Sequence, residues 1–398
     1  MERIQNLIRE EKRRQEQSLC LIPSENHSSS QIRTAVGSIL NHKYAEGYPG
    51  KRYYQGNHVI DKIEQQAIDL AKQVFGADHA NVQPYSGSPA NFAIMLGLLN
   101  PGDKILGFDL EAGGHLTHGS NVNFSGKLFD VETYALGEDN RIDVEEIKKK
   151  ARTFQPKLII SGTTSYPRTI PFEEIQQIAD EVNAYHLADI SHIAGLVVSG
   201  QHPSPVPHAD VVMTTTHKSL RGPRGAIILC KEELAKKIDK AVFPGDQRGP
   251  HMNTIAAKAL ALEACQRDTF RKYGQRVVSN AQELAKTLQN RGIQLVTGGT
   301  DNHLLVLDVG EGNGKQVAEA LEERNIIVNA NTIPNEPSSP FNPSGIRIGT
   351  PAITTRGLRE GDMPMIANII ADVIKGEGEK EEHILTVKRI TKTYKLPR

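Results

Sequence analysis

Tryptophan is absent from the chain, and cysteine occurs only three times, at Cys20, Cys230 and Cys265. Thiols this scattered show neither metal-ligand spacing nor a disulfide framework, and they read as reduced side chains of a cytoplasmic protein. An excess of charge is missing too, since 47 Lys and Arg balance 47 Asp and Glu. No broad basic field therefore points to nucleic acid. No apolar run approaches the roughly 18 residues that span a bilayer. The opening stretch MERIQNLIREEKRRQEQ is charged throughout and lacks the apolar core of a signal peptide. The expectation is a soluble cytoplasmic protein without a membrane or nucleic-acid partner. Its 398 residues are too many for one simple core.

What is present is an alternation of helical stripes and short apolar runs. Ile4, Leu7 and Ile8 mark one face of a first helix, and a loop rich in Ser, Gly, Pro and Tyr then runs to about residue 57. Ile60, Ile63, Ala67, Leu70, Ala71 and Val74 predict a helix over 60–74. KILGFD (104–109), KLIISGTT (157–164), AYHLAD (184–189), DVVMTTT (210–216) and GAIILC (225–230) read as strands, with a helix starting near Pro171 between two of them. Such alternation implies an α/β fold with a mostly parallel, doubly covered sheet. From about residue 265 a long helix through Tyr273, Val277, Ala281, Leu284 and Leu288 leads into a smaller α+β region. The expected organisation is an N-terminal helix and arm (1–59), a large domain (60–264) and a small C-terminal domain (265–398). Its tail KGEGEKEEH reads as solvated and poorly ordered.

The chemistry centres on TTTHKSLRGPRG (214–225), where an amine sits among small hydroxyls at the end of a strand. A lone Lys218 is ordinarily a solvated loop residue; the sharper reading is an amine that forms an imine with a carbonyl. In open α/β sheets, ligands lie beyond the carboxyl ends of the strands. Asp189 closes AYHLAD at another such end. Alone it would read as a helix cap, but paired with Lys218 it suits pyridoxal 5'-phosphate. The carboxylate would keep the ring nitrogen protonated and the lysine would hold the aldehyde. Ser86, Gly87 and Ser88 in YSGSPAN stand where a helix begins, which offers an anion site for a phosphate. Thr215 and His217 add donors beside the lysine.

The segments LIPSEN, NHKYAEGYPGKRYYQGN, ANVQPYSGSPAN, GGHLTHGS, ADISHIAGL, HPSPVPHADVVMTTTHKSLRGPRG, FPGDQRGP, TGGTDNH and SGIRIGTPAITTRG, in this order, resemble the serine hydroxymethyltransferase family. The resemblance covers about residues 15–375. It implies the type I pyridoxal-phosphate (aspartate aminotransferase-like) fold, with a large sheet domain and a smaller C-terminal one. It also implies transfer of the serine hydroxymethyl group to tetrahydrofolate, leaving glycine and 5,10-methylenetetrahydrofolate. The partners implied are small molecules and a second copy in a homodimer that shares its active sites across the interface. No metal is implied.

Residue by residue, the resemblance makes Lys218 the cofactor lysine, Asp189 the partner of the ring nitrogen and His115 the imidazole stacked on the ring. Thr164, His192, Thr215, His217, Tyr44, Gly249 and the Ser86-Gly87-Ser88 loop line the cofactor. Arg347, assisted by Ser24, takes the substrate carboxylate, a task suited to a guanidinium fork. Glu46 handles the hydroxyl proton beside Tyr54. Leu110, Gly114, Leu116, Tyr53 and Asn331 fall at folate-contacting positions. An unassisted lysine amine, with a pKa of about 10.4, would be mostly protonated at neutral pH, and an imine with a conjugated aldehyde removes that obstacle.

Four departures from the family pattern stand out: Arg248 in place of a glycine, Ala112 in place of a histidine, Asn253 in place of a histidine, and Thr164 in place of a serine. Arg248 could bind the cofactor phosphate by charge or obstruct it. A related aldolase or transaldolase using another aldehyde is the competing activity, because fold and cofactor chemistry are shared across such enzymes. A catalytically silent relative is disfavoured by the joint presence of Lys218, Asp189, His115 and Arg347.

Overall fold

Five apolar runs become the interior of a seven-stranded sheet in the computed structural model, which describes residues 2–397. In chain order the strands are β1 (His79–Asn81), β2 (Lys104–Phe108), β3 (Asp130–Tyr134), β4 (Leu158–Ser161), β5 (Tyr185–Asp189), β6 (Val211–Thr215) and β7 (Ala226–Cys230). They lie in the order β1-β7-β6-β5-β4-β2-β3. Strands β2 to β6 pair in parallel, whereas β7 runs antiparallel to both β1 and β6. LIIS, VVMTT and AIILC are buried along their whole length, which explains why they lack the alternation of a half-exposed strand. The two edge strands escape a sequence reading. HAN is too short, and DVETY buries only Tyr134.

The chain's helices include α1 (Glu2–Gln17), α2 (His58–Phe75), α3 (Gly87–Leu98), α4 (Phe172–Glu181), α5 (Met252–Cys265) and α6 (Asp268–Asn290). Of these, α2, α3 and α4 pack on the sheet, and α5 packs on α2. Helix α2 buries Ile60, Ala67, Leu70, Ala71 and Phe75 and stops at Gly76, whose left-handed φ of 71° favours a residue without a Cβ. Because β6 and β7 are antiparallel neighbours with Thr215 opposite Ala226, residues 216–225 loop out directly at the carboxyl end of β6. That loop carries Lys218.

The chain divides into two compact units. One comprises Ser28–Thr164 and Thr169–Gly274; the other takes the segment ending at His27, Ser165–Arg168 and the chain from Gln275 onward. The second unit has an antiparallel sheet of β8 (Gln294–Leu295), β9 (Leu304–Asp308), β10 (Asn329–Asn331) and β11 (Gly345–Gly349), in the order β8-β9-β11-β10. The N-terminal segment belongs to it because Leu19–Cys20 pairs in parallel with Ile326–Ile327. Leu19 and Leu21 share a core with Leu307, Ile346 and Ile348. Helix α1 forms as expected, yet none of its residues is buried, and Ile4, Leu7 and Ile8 stay exposed. Among the described residues no helix is long and apolar enough to cross a membrane.

The tail corrects the sequence reading. After α7 (Met363–Lys375), the charged stretch stays solvated through residue 382, but its last four residues open an ordered helix, α8 (Lys380–Thr393), which buries His383, Val387, Ile390 and Thr391. The density of charge in KGEGEKEEH hid an apolar stripe at helical spacing that starts only at its last residue. Arg356 secures this end. Its five N–H groups donate to the carbonyls of Gln15 (3.2 Å), Ser18 (2.7 Å), Glu16 (3.1 Å), Thr391 (3.4 Å) and Tyr394 (2.8 Å). The guanidinium thus joins the last turn of α1 to the last turn of α8, and every donor is used. Replacing Arg356 by Met should lower the unfolding free energy by about 2–4 kcal/mol, since carbonyls are left without charged donors. Urea titration of the variant checks this, and an unchanged midpoint would discard the clamp.

Candidate active site

Three of the residues singled out from sequence converge at the carboxyl edge of the large sheet, and the convergence has a cause. Asp189 is the last residue of β5 and is buried. Both of its oxygens are occupied. Ser191 donates to Oδ1 through its backbone N–H at 3.0 Å and its hydroxyl at 2.6 Å. Asn91 of α3 donates to Oδ2 at 3.1 Å, and His118 Nε2 lies 3.2 Å from the same atom. Burial alone would raise the pKa of Asp189; the hydrogen bond and charge of His118, with His115 and Ser191 adding, outweigh it and hold the carboxyl well below the usual range. Asp189 is a permanent buried anion.

The same donors reach further. Asn91 also donates to the Thr117 hydroxyl at 2.8 Å, and Thr117 Oγ1 stands 2.8 Å from His115 Nδ1. The Thr117 N–H also donates to His115 Nδ1, at 3.2 Å. Accepting both leaves His115 with its proton on Nε2. Burial first, then the neighbouring His118, pushes the His115 pKa down to about 4, so the ring is neutral at physiological pH. Gly114 is the hinge for this turn, because a Cβ there would stand 2.1 Å from the Phe108 carbonyl. Thr164 holds it from the other side by directing its hydroxyl at the carbonyls of Gly113 (3.2 Å) and Gly114 (3.0 Å).

Lys218 is oriented by Thr215, whose hydroxyl accepts from its Nζ at 2.8 Å. The Thr215 N–H in turn donates to the Ser191 hydroxyl at 3.2 Å, so the lysine loop and the Asp189 turn share a serine. His217 has a buried Nδ1 without a hydrogen-bond partner. Burial, with the charges of Lys218 and Arg224 adding, presses its pKa down to about 3. Helix α3 begins beside these groups. A Cβ on Gly87 would lie 2.8 Å from Thr215 Cγ2, so only glycine lets the helix start this close to β6. Ser86, its N-cap, makes no side-chain capping bond, and the first N–H groups keep their capacity for an anion. His192 is buried in the turn after β5, where its carbonyl accepts from Ser219 at 2.9 Å.

Glu46 and its tyrosines lie on an arm of the same unit. Tyr44, Tyr53 and Tyr54 are 55%, 71% and 46% exposed, which sets them apart from the buried aromatics of the core. Tyr44 packs edge-on against Tyr54 at 5.2 Å between centroids, and its ring would be 3.1 Å from a Cβ on Gly249. Leu110 and Leu116, flanking the Gly114 turn, are both half-exposed apolar side chains. In the second unit, Arg347 sits mid-strand in β11 between the core residues Ile346 and Ile348, so it faces away from that core. It donates to the Asn329 side chain at 3.2 Å, and burial lowers its pKa to about 10, still fully charged. Pro23 lies 2.8 Å from where a Gly349 Cβ would be, and Gly349 N–H donates to the Leu21 carbonyl at 2.7 Å. These contacts lay the segment bearing Ser24 across the end of β11. Asn331, on β10, donates to the Thr332 carbonyl at 2.6 Å.

Asn91, Thr117, His118 and Ser191 were not picked out from the sequence, although each lies in a motif quoted there. One signal was available: Asn91 is an inward polar residue in an otherwise apolar helix, GSPANFAIMLGL. The departures also acquire structure. Arg248 folds back on its own turn, donating to the carbonyls of Pro244 and Gln247. Asn253 anchors the Val36 carbonyl at 2.7 Å. Among the described residues no group of three or more His, Cys, Asp or Glu side chains could hold a metal ion.

A mostly parallel seven-stranded sheet with one antiparallel member, which carries its lysine in the reversing loop, is the type I pyridoxal-phosphate fold. The family model described as serine hydroxymethyltransferase matches residues 1–370. A serine hydroxymethyltransferase of Desulfotalea psychrophila is 55% identical over 371 residues, covering 93% of this chain and 87% of the relative. One from Nostoc punctiforme is 56% identical over 373 residues, with the same coverage, 93% and 87%. One from Halorhodospira halophila is 52% identical over 377 residues, covering 94% and 91%. The chain belongs to the serine hydroxymethyltransferase family.

The buried histidines carry a pH signature. His115, His186 and His217 have pKa values pressed from 6.5 to about 4, 3 and 3, burial being the first cause in each. Below pH 6.5 the unfolded chain binds protons that the folded one refuses, so the stability present above that pH is lost as pH falls toward 4. Unfolding at pH 5 should take up about 2.5 protons more at these groups than unfolding at pH 7.5. Urea melts at both pH values, read through the linkage slope, check it; a flat slope would mean that the folded rings are charged.

Proposed function

We propose that this chain transfers the hydroxymethyl group of serine to tetrahydrofolate, giving glycine and 5,10-methylenetetrahydrofolate. The observation that carries the reading is the pairing of an oriented amine, Lys218, with a buried, permanently ionised Asp189 through the shared Ser191 and Thr215. The names of the relatives support this activity over an aldolase or transaldolase.

The residues fit pyridoxal 5'-phosphate. His217 keeps a buried nitrogen unpartnered, and the α3 terminus keeps its first N–H groups uncapped where Gly87 allows close approach. Ser86, Gly87 and Ser88, with Tyr44 and Gly249, would take the phosphate. Lys218 would hold the aldehyde carbon, Asp189 the ring nitrogen, and Thr164, His192, Thr215 and His217 the flanks. Bound there, the group supplies an electron-accepting protonated ring to a substrate joined through its amine.

The protein's own side chains do the rest. Asp189 cannot take up the ring proton, because its four donors favour the carboxylate. His115 presents a neutral imidazole face, which avoids placing a second positive charge against a cationic ring. Arg347, with Ser24, binds the substrate carboxylate as a charged fork. Glu46 receives the proton of the serine hydroxyl and returns it, with Tyr54 beside it. Leu110, Leu116 and Gly114 offer an apolar platform to the folate, and Tyr53 and Asn331 its polar contacts. The exposed tyrosines of the arm and the uncovered Ile4, Leu7 and Ile8 support a homodimer in which part of each site comes from the partner. A cytoplasmic location agrees with the scattered free thiols.

Titrating the purified protein with pyridoxal phosphate, then glycine, then tetrahydrofolate tests the reading by visible absorbance. A long-wavelength band that appears with glycine and grows on adding the folate is expected; a glycine band indifferent to folate would favour an aldolase. Glu46→Gln should lower kcat for the folate-dependent reaction by ~10²–10⁴-fold while serine KM changes little, the mark of a lost proton-transfer group. Steady-state assays of both substrates check it.

A further inference from the structure

Arg52 has an unusual set of partners. Its side chain is 4% exposed, and it forms ion pairs with Glu64 at 2.5 Å and Asp61 at 2.8 Å, both on α2. The remaining nitrogen, Nη1, donates to two backbone carbonyls, those of Ala45 (2.8 Å) and Gly47 (2.7 Å). These are the carbonyls on either side of Glu46. Gly47 has a left-handed φ of 98°, so the chain turns here rather than running extended. The Glu46 carbonyl, lying between those two in sequence, accepts instead from the Tyr53 N–H at 3.1 Å. Gln83 adds a second donor to the Gly47 carbonyl at 2.9 Å and a bond to Glu64 at 2.7 Å. The backbone of Glu46 is therefore fixed on three sides, although the residue itself lies on an arm with exposed tips.

We propose that Arg52 is a positioning residue for Glu46, its buried guanidinium gripping the two flanking carbonyls so that the carboxyl is held ready for proton transfer. This rests on the reading of Glu46 as the group that handles the hydroxyl proton. A purely structural ion pair would need only Asp61 and Glu64. The contacts to Ala45 and Gly47 are what turn it toward the site. No lysine can replace this arrangement, because three donors on one atom cannot reach two carboxylates and two carbonyls spread around a planar fork.

The test uses Arg52→Lys in the cofactor-loaded enzyme, with Asp61→Asn as a milder second variant should the first not fold. For Arg52→Lys we expect kcat to fall by roughly 10–100-fold, with pyridoxal-phosphate affinity and serine KM within about twofold of the parent. Exchange of the Tyr53 amide should quicken by about tenfold, because the strand that holds it has lost its clamp. Adding Glu46→Gln should cost no more than Glu46→Gln alone, since both act on one group. Asp61→Asn should show the same pattern at smaller amplitude. Losses that multiply in the double variant, or Tyr53 exchange that does not change, would overturn the proposal. So would cofactor affinity that falls in step with kcat. If Glu46→Gln alone keeps full activity while Tyr53 exchange still quickens in Arg52→Lys, the role of Glu46 has failed and the clamp stands.

Discussion

Keeping one carboxylate ionised inside the protein is the constraint around which the large unit is arranged. An unpaired buried anion would neutralise itself by binding a proton. Asp189 avoids this only because donors arrive from its own turn, from α3 and from the turn at His118. Two of these donors are tied to something else. Asn91 also holds Thr117, which sets the proton on His115; Ser191 also receives the Thr215 N–H, which sets the lysine loop. Satisfying the charge and assembling the site are one requirement, met by one network. Its parts are strand ends and a helix start, the stiffest pieces of a parallel sheet, which suits groups that must hold fixed geometry.

That dependence explains what could be read from the sequence. Strands buried on both faces announce themselves as apolar runs, and the residues at their carboxyl ends are the natural candidates, so Lys218 and Asp189 stood out without a structure. The donors that make Asp189 an anion did not. Asn91 is remote in sequence from Asp189, and only the crossover topology brings α3 to the end of β5. Edge strands were missed for other reasons: HAN is too short to show a pattern, and DVETY buries only Tyr134. The last helix was hidden because its charged N-terminal half outweighs the buried stripe that follows, and its anchor, Arg356, meets it only through tertiary contacts.

The arm of Glu46 solves a different problem from the sheet edge. Its tyrosines reach outward, yet the residue between them must not wander. A buried Arg–Glu pair is a poor device for stability alone, because desolvating both ions offsets most of their attraction, and apolar side chains of similar size often serve as well or better. Apolar side chains cannot, however, donate hydrogen bonds to two carbonyls. The Arg52–Glu64 pair becomes intelligible once its other contacts are counted: Glu64 and Asp61 fix the guanidinium on a long helix, and the guanidinium fixes Ala45 and Gly47. Rigidity passes from α2 to a segment that has no core of its own. Both halves of the site thus use a buried charge as a geometric device. Asp189 is held ionised so that it can fix a proton, and Arg52 is held in place so that it can fix a backbone.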